Sequence, residues 1–214
     1  MSRLKRAVVS QFGKPRGFWG ALAGWIMATR PSNRLRNSWT VDLLEIRATD
    51  RVLEIGYGPG FALEGACRRA SAGKVVGLDH SPSMGAMAAR RNRAAVASGR
   101  FQLEIGPIEA LKEPSAPAFA TPFDRIFAVN VVMFWNDPVA AIGILESRLA
   151  ARGRIALTFQ PRIGERTDAA ALAAAETMAC QMRDAGLAEV RIETLDRVSP
   201  MAVCVMGTKT GIGK

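Results

Sequence analysis

The sequence predicts a doubly wound α/β fold: a seven-stranded, mostly parallel sheet with the last strand antiparallel, preceded by an N-terminal helical arm. Three observations support this prediction. From residue 51 onward, short apolar runs typical of buried strands alternate with helical patterns, as parallel sheets require. A glycine-rich turn follows the first of these runs. The last two runs are joined by a short connection that contains Pro200, which leaves no room for a crossover helix, so these strands must pair antiparallel.

The periodicity predicts each element in chain order. Strands are expected at 51–55, 74–79, 101–105, 124–130, 154–159, 189–196 and 201–208, and helices at 37–46, 62–70, 83–98, 138–150 and 169–185. The strand segments are rich in Val, Ile, Leu and Phe, whereas the helical segments are longer and several are rich in Ala. Residues 112–122 contain three prolines and little periodicity, so they predict a loop between elements.

Length and composition are those of a folded protein with one main domain. We assign residues 1–36 to a basic helical arm and residues 37–214 to the α/β domain. The apolar fraction of 49% and the charged fraction of 22% are ordinary for a globular protein and argue against a disordered one. No apolar run approaches the roughly 20 residues that span a bilayer, and we expect a cytoplasmic protein.

The formal net charge of +10 is concentrated in the arm. Residues 1–36 carry eight basic and no acidic residues, whereas the rest of the chain carries 21 basic and 19 acidic residues. Enzymes that act on nucleic acid usually spread positive charge around the catalytic cleft, so this distribution argues against a nucleic-acid partner. Apolar residues within 18–29 follow helical spacing and would form a stripe on one face of a helix. Two interpretations of this stripe stay open: the helix packs over the domain, or residues 1–30 make peripheral contact with a membrane.

The glycine turn is the first feature with chemical content. Gly56, Gly58 and Gly60 form a GxGxG pattern, whereas dinucleotide-binding turns carry GxGxxG. Glu54 stands two residues before the turn, where a carboxylate can meet an ammonium group, which a pyrophosphate-bearing cofactor lacks. Asp79 ends the second predicted strand and is placed to accept hydrogen bonds from both hydroxyls of an adenine riboside.

Two segments resemble a known family. Residues 52–60, VLEIGYGPG, resemble the first motif of class I S-adenosylmethionine (SAM)-dependent methyltransferases, and residues 76–82, VGLDHSP, resemble the second. Residues 106–109 are similar to the loop that flanks adenine in this family, and residues 123–130 to its fourth-strand motif. Many relatives carry Asp where this chain has Pro107, so contact with the adenine amino group is expected to pass to the backbone or to Ile108.

The resemblance covers about residues 37–209 and implies SAM as the cofactor. His80, the chain's only histidine, should then lie beside the ribose and adenine, away from the transferred methyl, which argues against a general base at this position. No catalytic residue is assigned. The expected cofactor-binding residues are Glu54, Gly56, Tyr57, Gly58, Gly60, Asp79, His80, Pro107, Ile108 and Asn130.

The acceptor pocket is expected at the carboxyl ends of the fourth and fifth strands together with the arm, where open α/β sheets bind their ligands. Arg162 is the positive group there that suits an anionic acceptor, while each aromatic side chain is equally compatible with core packing. The candidate substrate-binding residues are Trp19, Trp25, Met133, Phe134, Trp135 and Arg162.

Together these features predict an enzyme that moves a methyl group from SAM to O, N or C of a small organic acceptor. Methyl transfer is an in-line displacement that mainly needs positioning. The chain shows no HxxxH pair and no Cys/His cluster, so we expect no metal. Two alternatives stay open: a phospholipid N-methyltransferase that docks through the basic arm, and a non-catalytic binding module that keeps the fold.

Overall fold

The computed structural model describes residues 31–112, 117–162 and 164–211. The helices are α1 (Pro31–Leu43), α2 (Phe61–Arg69), α3 (Pro82–Arg91), α4 (Arg93–Ala97), α5 (Pro138–Ser147) and α6 (Asp168–Asp184). The strands are β1 (Arg51–Ile55), β2 (Lys74–Asp79), β3 (Phe101–Ile105), β4 (Phe123–Val129), β5 (Leu149–Phe159), β6 (Leu187–Leu195) and β7 (Ala202–Lys209). Short 3-10 helices cover Ile108–Lys112, Pro117–Phe119 and Val132–Phe134.

The seven strands form one sheet in the order β3-β2-β1-β4-β5-β7-β6. Strands β1 to β5 pair in parallel, and β7 pairs antiparallel with both β5 and β6. The sequence-based prediction of a mostly parallel sheet with a reversed last strand is therefore confirmed. The strand order changes direction between β1 and β4, and the carboxyl ends of strands at such a switch point form the crevice where ligands bind.

Both faces of the sheet are covered, which explains the continuous apolar strands. Ile126 and Phe127 are neighbours in β4, both fully buried, and they belong to different core clusters because successive strand residues point to opposite faces. Ile126 shares its cluster with residues of α5 and α6, whereas Phe127 shares its cluster with residues of α1, α2 and α3. Among the residues described, no helix has the length and apolar character needed to cross a membrane.

Two predicted helices differ from the observed ones. Helix α1 begins at Pro31 rather than Asn37, because proline is well accommodated in the first turn of a helix. Residues 31–36 of the predicted arm thus continue into a helix of the domain, while residues 1–30 lie outside the described residues. The single helix predicted over 83–98 is broken at Asn92, whose side-chain amide donates to the carbonyls of Ala88 and Gly60. This break ties the helix end to the glycine turn.

The segment predicted as a loop over residues 112–122 also contains regular structure. A 3-10 turn at Pro117–Phe119 places the Phe119 side chain in the core with almost no exposure. Strand β5 begins at Leu149 rather than Arg154, with a register irregularity opposite β4 between Phe123 and Arg125. Both differences arise from tertiary packing, which the periodicity of the sequence does not reveal.

Candidate functional site

The glycine turn adopts a backbone that favours glycine at all three positions. Gly56, Gly58 and Gly60 have φ values of 67°, 49° and 79°, in the left-handed region. A Cβ on Gly56 would lie 2.4 Å from a methyl carbon of Val131, and a Cβ on Gly60 would lie 2.8 Å from the Asn92 amide nitrogen. A Cβ on Gly58 would meet no atom of the described residues within 4 Å. Gly58 therefore faces open space, and its contact with a cofactor stays a prediction.

The Asp79 carboxylate holds the turn in place. Its two oxygens accept hydrogen bonds from the backbone N–H of Gly58 and of Ser81, each at 2.9 Å. The carbonyl of Asp79 accepts from the N–H of Gly106 at 2.9 Å, which brings the loop after β3 to the same place. Because each carboxylate oxygen accepts about two hydrogen bonds, Asp79 keeps capacity for further donors such as ligand hydroxyls.

Glu54 is a buried carboxylate beside the turn. It is 2% exposed, and its Oε2 has no hydrogen-bond partner among the described residues. Burial, followed by the nearby Asp79 carboxylate, raises the pKa of Glu54 well above its ordinary value, while the Leu63 backbone hydrogen bond acts in the opposite direction. A buried acceptor without a partner is costly, so this site suits a ligand cation that donates hydrogen bonds.

Tyr57 lies beneath the turn. Its ring occupies the space beside Gly77 of β2, where a Cβ would come within 2.7 Å of ring carbon Cδ1, and its hydroxyl would be 3.1 Å from a Cβ on Gly85. The hydroxyl is buried without a partner among the described residues, and burial raises its pKa. Sequence reasoning missed the need for these two glycines, although a glycine inside a strand is a recognised sign of close packing.

The remaining predicted adenine-side residues follow the carboxyl ends of β2 and β3. The His80 side chain is about half exposed, with Nδ1 3.7 Å from an Asp79 carboxylate oxygen. Pro107 is exposed in the loop after β3, and Ile108 is half-buried against the main core cluster. Their contacts with a cofactor stay predictions, although the loop lies beside Asp79 as expected.

The carboxyl ends of β4 and β5 are joined by an asparagine. The Asn130 side-chain oxygen accepts from the Gln160 N–H at 2.8 Å, and its amide nitrogen donates to the Gln160 carbonyl at 3.3 Å. Asn130 itself has a left-handed backbone, with φ of 57°. Its side chain therefore fixes the end of β5 beside the end of β4, and a direct cofactor contact stays a prediction.

The predicted acceptor residues are placed in different ways. Met133 and Phe134, in the 3-10 turn after β4, are 39% and 40% exposed, whereas Trp135 packs against the core cluster. An Arg162 terminal nitrogen donates to the Ser32 hydroxyl of α1 at 3.0 Å. Trp19 and Trp25 lie outside the described residues. The structure thus leaves two apolar side chains available at the edge of the site.

Helix α1 crosses the same edge of the sheet. The guanidinium carbon of Arg34 lies 5.3 Å from the centre of the Phe61 ring, which follows the glycine turn. Arg36, two residues further on, donates to the side-chain oxygen of Gln160 after β5. Gln160 follows the fifth predicted strand, where the acceptor pocket is expected, whereas sequence reasoning missed Arg36, because it is one of many basic residues in the arm and no motif marks it.

Comparisons with known proteins agree with this geometry. The family model described as a methyltransferase domain matches residues 52–153. An uncharacterized methyltransferase, YdaC, of Bacillus subtilis (strain 168) is 29% identical over 188 residues, which cover 88% of this chain and 98% of the relative.

Solved structures show the same fold at low sequence identity. The N-methyltransferase NodS from Bradyrhizobium japonicum WM9, in complex with S-adenosyl-L-homocysteine, has a TM-score of 0.67 and 19% identity, covering 86% of this chain and 91% of its own. A SAM-dependent methyltransferase from Aquifex aeolicus has a TM-score of 0.64 and 16% identity, covering 89% and 98%. By its motifs, its fold and these matches, the chain is similar to class I SAM-dependent methyltransferases.

Proposed function

We propose that the protein transfers the methyl group of SAM to O, N or C of a small organic acceptor without a metal ion. The observation that carries this proposal is Glu54, a buried carboxylate whose Oε2 has no hydrogen-bond partner among the described residues and which lies beside a turn whose central glycine faces open space. The ammonium group of the methionine moiety of SAM is the kind of donor that this oxygen lacks.

The other residues of the turn fit the rest of the cofactor. Asp79 retains acceptor capacity for the ribose hydroxyls, and the loop at Pro107 and Ile108 lies beside Asp79, on the side expected for adenine. Bound SAM supplies a methyl carbon activated by a sulfonium. The chain's residues orient that group and cover it from water; proximity of the reacting atoms at roughly 3 to 3.5 Å accounts for much of the rate in such displacements.

The acceptor side supports a small molecule with an apolar part. Met133 and Phe134 expose apolar surface beside the ends of β4 and β5, the place where acceptors are expected in open α/β sheets. The reaction does not require a Lewis acid, because the sulfonium is already the leaving group, and metal independence is proposed on that chemical ground. Contact of residues 1–30 with a membrane stays a separate prediction, since those residues lie outside the described part.

The function is tested with full-length protein, SAM and a panel of small phenols, amines and carboxylic acids, measuring formation of S-adenosylhomocysteine. We expect turnover with one chemical class and an unchanged rate in EDTA. Anionic phospholipid vesicles and single-stranded DNA are included as acceptors. Turnover only with vesicles or DNA, or loss of activity in EDTA that Mg²⁺ restores, would contradict the proposal.

A substitution at Asp79 tests binding of the nucleoside part of the cofactor separately from binding of its amino-acid part. Asp79→Asn is expected to weaken binding of 5′-methylthioadenosine, which has the ribose but no amino acid, by about tenfold, because the carboxylate loses one charged acceptor. Calorimetry measures the affinity, and Asp184→Asn, an exposed carboxylate at the end of α6, is the matched control. Equal affinities for wild type and Asp79→Asn would remove Asp79 from the ribose site.

A further inference from the structure

Two guanidinium groups meet at the carboxyl end of β5. Arg36 of α1 donates to the side-chain oxygens of Gln160 and Asn33, and the Arg162 charge lies close enough to affect Arg36. Gln160 is fully buried and uses its amide nitrogen to donate to the Pro200 carbonyl at 2.6 Å. The Gln160 side chain is therefore held at both ends and fixes the position of the Arg36 guanidinium.

Arg36 carries its charge in a buried position. It is 4% exposed, and among the described residues its Nε has no hydrogen-bond partner and its guanidinium forms no ion pair with a carboxylate. Burial, followed by the charge of Arg162, lowers the pKa of Arg36 to about 9, so the guanidinium is still charged at neutral pH. A buried charge without a counterion is costly, and a ligand anion would offset that cost.

We propose that Arg36 and Arg162 bind the carboxylate of an anionic methyl acceptor at the carboxyl end of β5. A guanidinium presents parallel N–H donors that match the two oxygens of a carboxylate. The exposed Met133 and Phe134 side chains follow Asn130, which is bonded to Gln160, so apolar surface lies near the charged end. The acceptor class is thus a small carboxylic acid with an apolar body. This inference rests on the proposed methyltransferase function.

The cofactor has a carboxylate of its own, which lies on the same carbon as its ammonium group. Glu54, the proposed partner of that ammonium, is in β1, whereas Gln160 follows β5, and β4 lies between them. Two strand spacings correspond to about 10 Å between the strand backbones, so Arg36 is held beside a different strand end from Glu54. We assign Arg36 to the acceptor carboxylate, and the comparison of S-adenosylhomocysteine with 5′-methylthioadenosine below separates this assignment from binding of the cofactor carboxylate.

Benzoate and its neutral isostere benzamide test the site in full-length protein saturated with S-adenosylhomocysteine. We expect benzoate to bind at least about tenfold more tightly than benzamide, because only benzoate is charged. Arg36→Gln and Arg162→Gln should each remove this preference, while Arg166→Gln, at an exposed arginine of the same segment, should retain it. Melting temperatures check that each variant is folded; Arg162 is only half-buried, so its variant remains informative if Arg36→Gln unfolds.

Any of three results would overturn the inference. The first is equal binding of benzoate and benzamide to the wild type, and the second is an unchanged preference for benzoate in the arginine variants that fold. The third is that Arg36→Gln weakens binding of S-adenosylhomocysteine but not of 5′-methylthioadenosine, which would assign Arg36 to the carboxylate of the cofactor. Wild-type affinity for S-adenosylhomocysteine is measured first. Its absence would contradict the proposed function itself, so the two failures are distinguishable.

Discussion

Gly58→Val is expected to reduce affinity for S-adenosylhomocysteine by at least about 100-fold, which corresponds to about 2.8 kcal/mol of binding free energy. A Cβ at this position points into open space within the turn, so the part of the chain that the structure describes leaves room for the side chain. The added methyl groups would instead occupy the space in which the cofactor approaches the backbone. Calorimetric titration of the purified variant measures the effect.

Gly99→Val provides a matched control for the backbone. Gly99 has φ of 69° and, like Gly58, meets nothing within 4 Å when a Cβ is added, but it lies in the turn before β3 at the opposite edge of the sheet. Both variants place an L-residue in the left-handed region, at a cost of about 1–2 kcal/mol. We expect similar losses of stability and a loss of binding in Gly58→Val alone. Equal binding by the two variants would exclude the turn as the cofactor site.

Glu54→Gln is expected to change stability and binding in opposite directions. The raised pKa of Glu54 means that the folded protein holds this proton more tightly than the unfolded chain does. The stabilisation that this bound proton gives the folded protein is fully present below the ordinary pKa of 4.5. It is lost as the pH rises through the raised pKa of Glu54. Without ligand, the Gln variant should therefore melt at a higher temperature than wild type at pH 8, and the difference should shrink toward pH 5.

The same variant is expected to bind S-adenosylhomocysteine about 10- to 100-fold more weakly, because a charge-assisted hydrogen bond to the ammonium is lost. Wild-type affinity should rise with pH as Glu54 ionises, whereas the affinity of the variant should not show this dependence. Glu64→Gln, at the exposed Glu64 side chain that pairs with Arg68 in α2, is the control and should bind as wild type does. A variant that both melts lower at pH 8 and binds normally would contradict the assignment of Glu54.

The order of strands and helices was predictable because each depends on local periodicity and on turn residues. The reversed last strand followed from the short connection containing Pro200, and the GxGxG turn with Glu54 and Asp79 followed from spacing. The start of α1 and the break at Asn92 were not predictable in this way. Both depend on side chains that bond to residues distant in the sequence, such as the Asn92 amide on Gly60.

The sequence by itself determined the fold class and the predicted cofactor-binding residues of the glycine turn and Asp79, since those residues stand in short motifs at the ends of β1 and β2. Only the tertiary structure brought Arg36, Gln160 and Arg162 together, from a helix before β1 and the segment after β5. No spacing rule connects positions so far apart, and the absence of a carboxylate near Arg36 within the described ranges becomes visible only after folding. The proposed acceptor half of the site is assembled by packing, so the sequence pattern carries little of it.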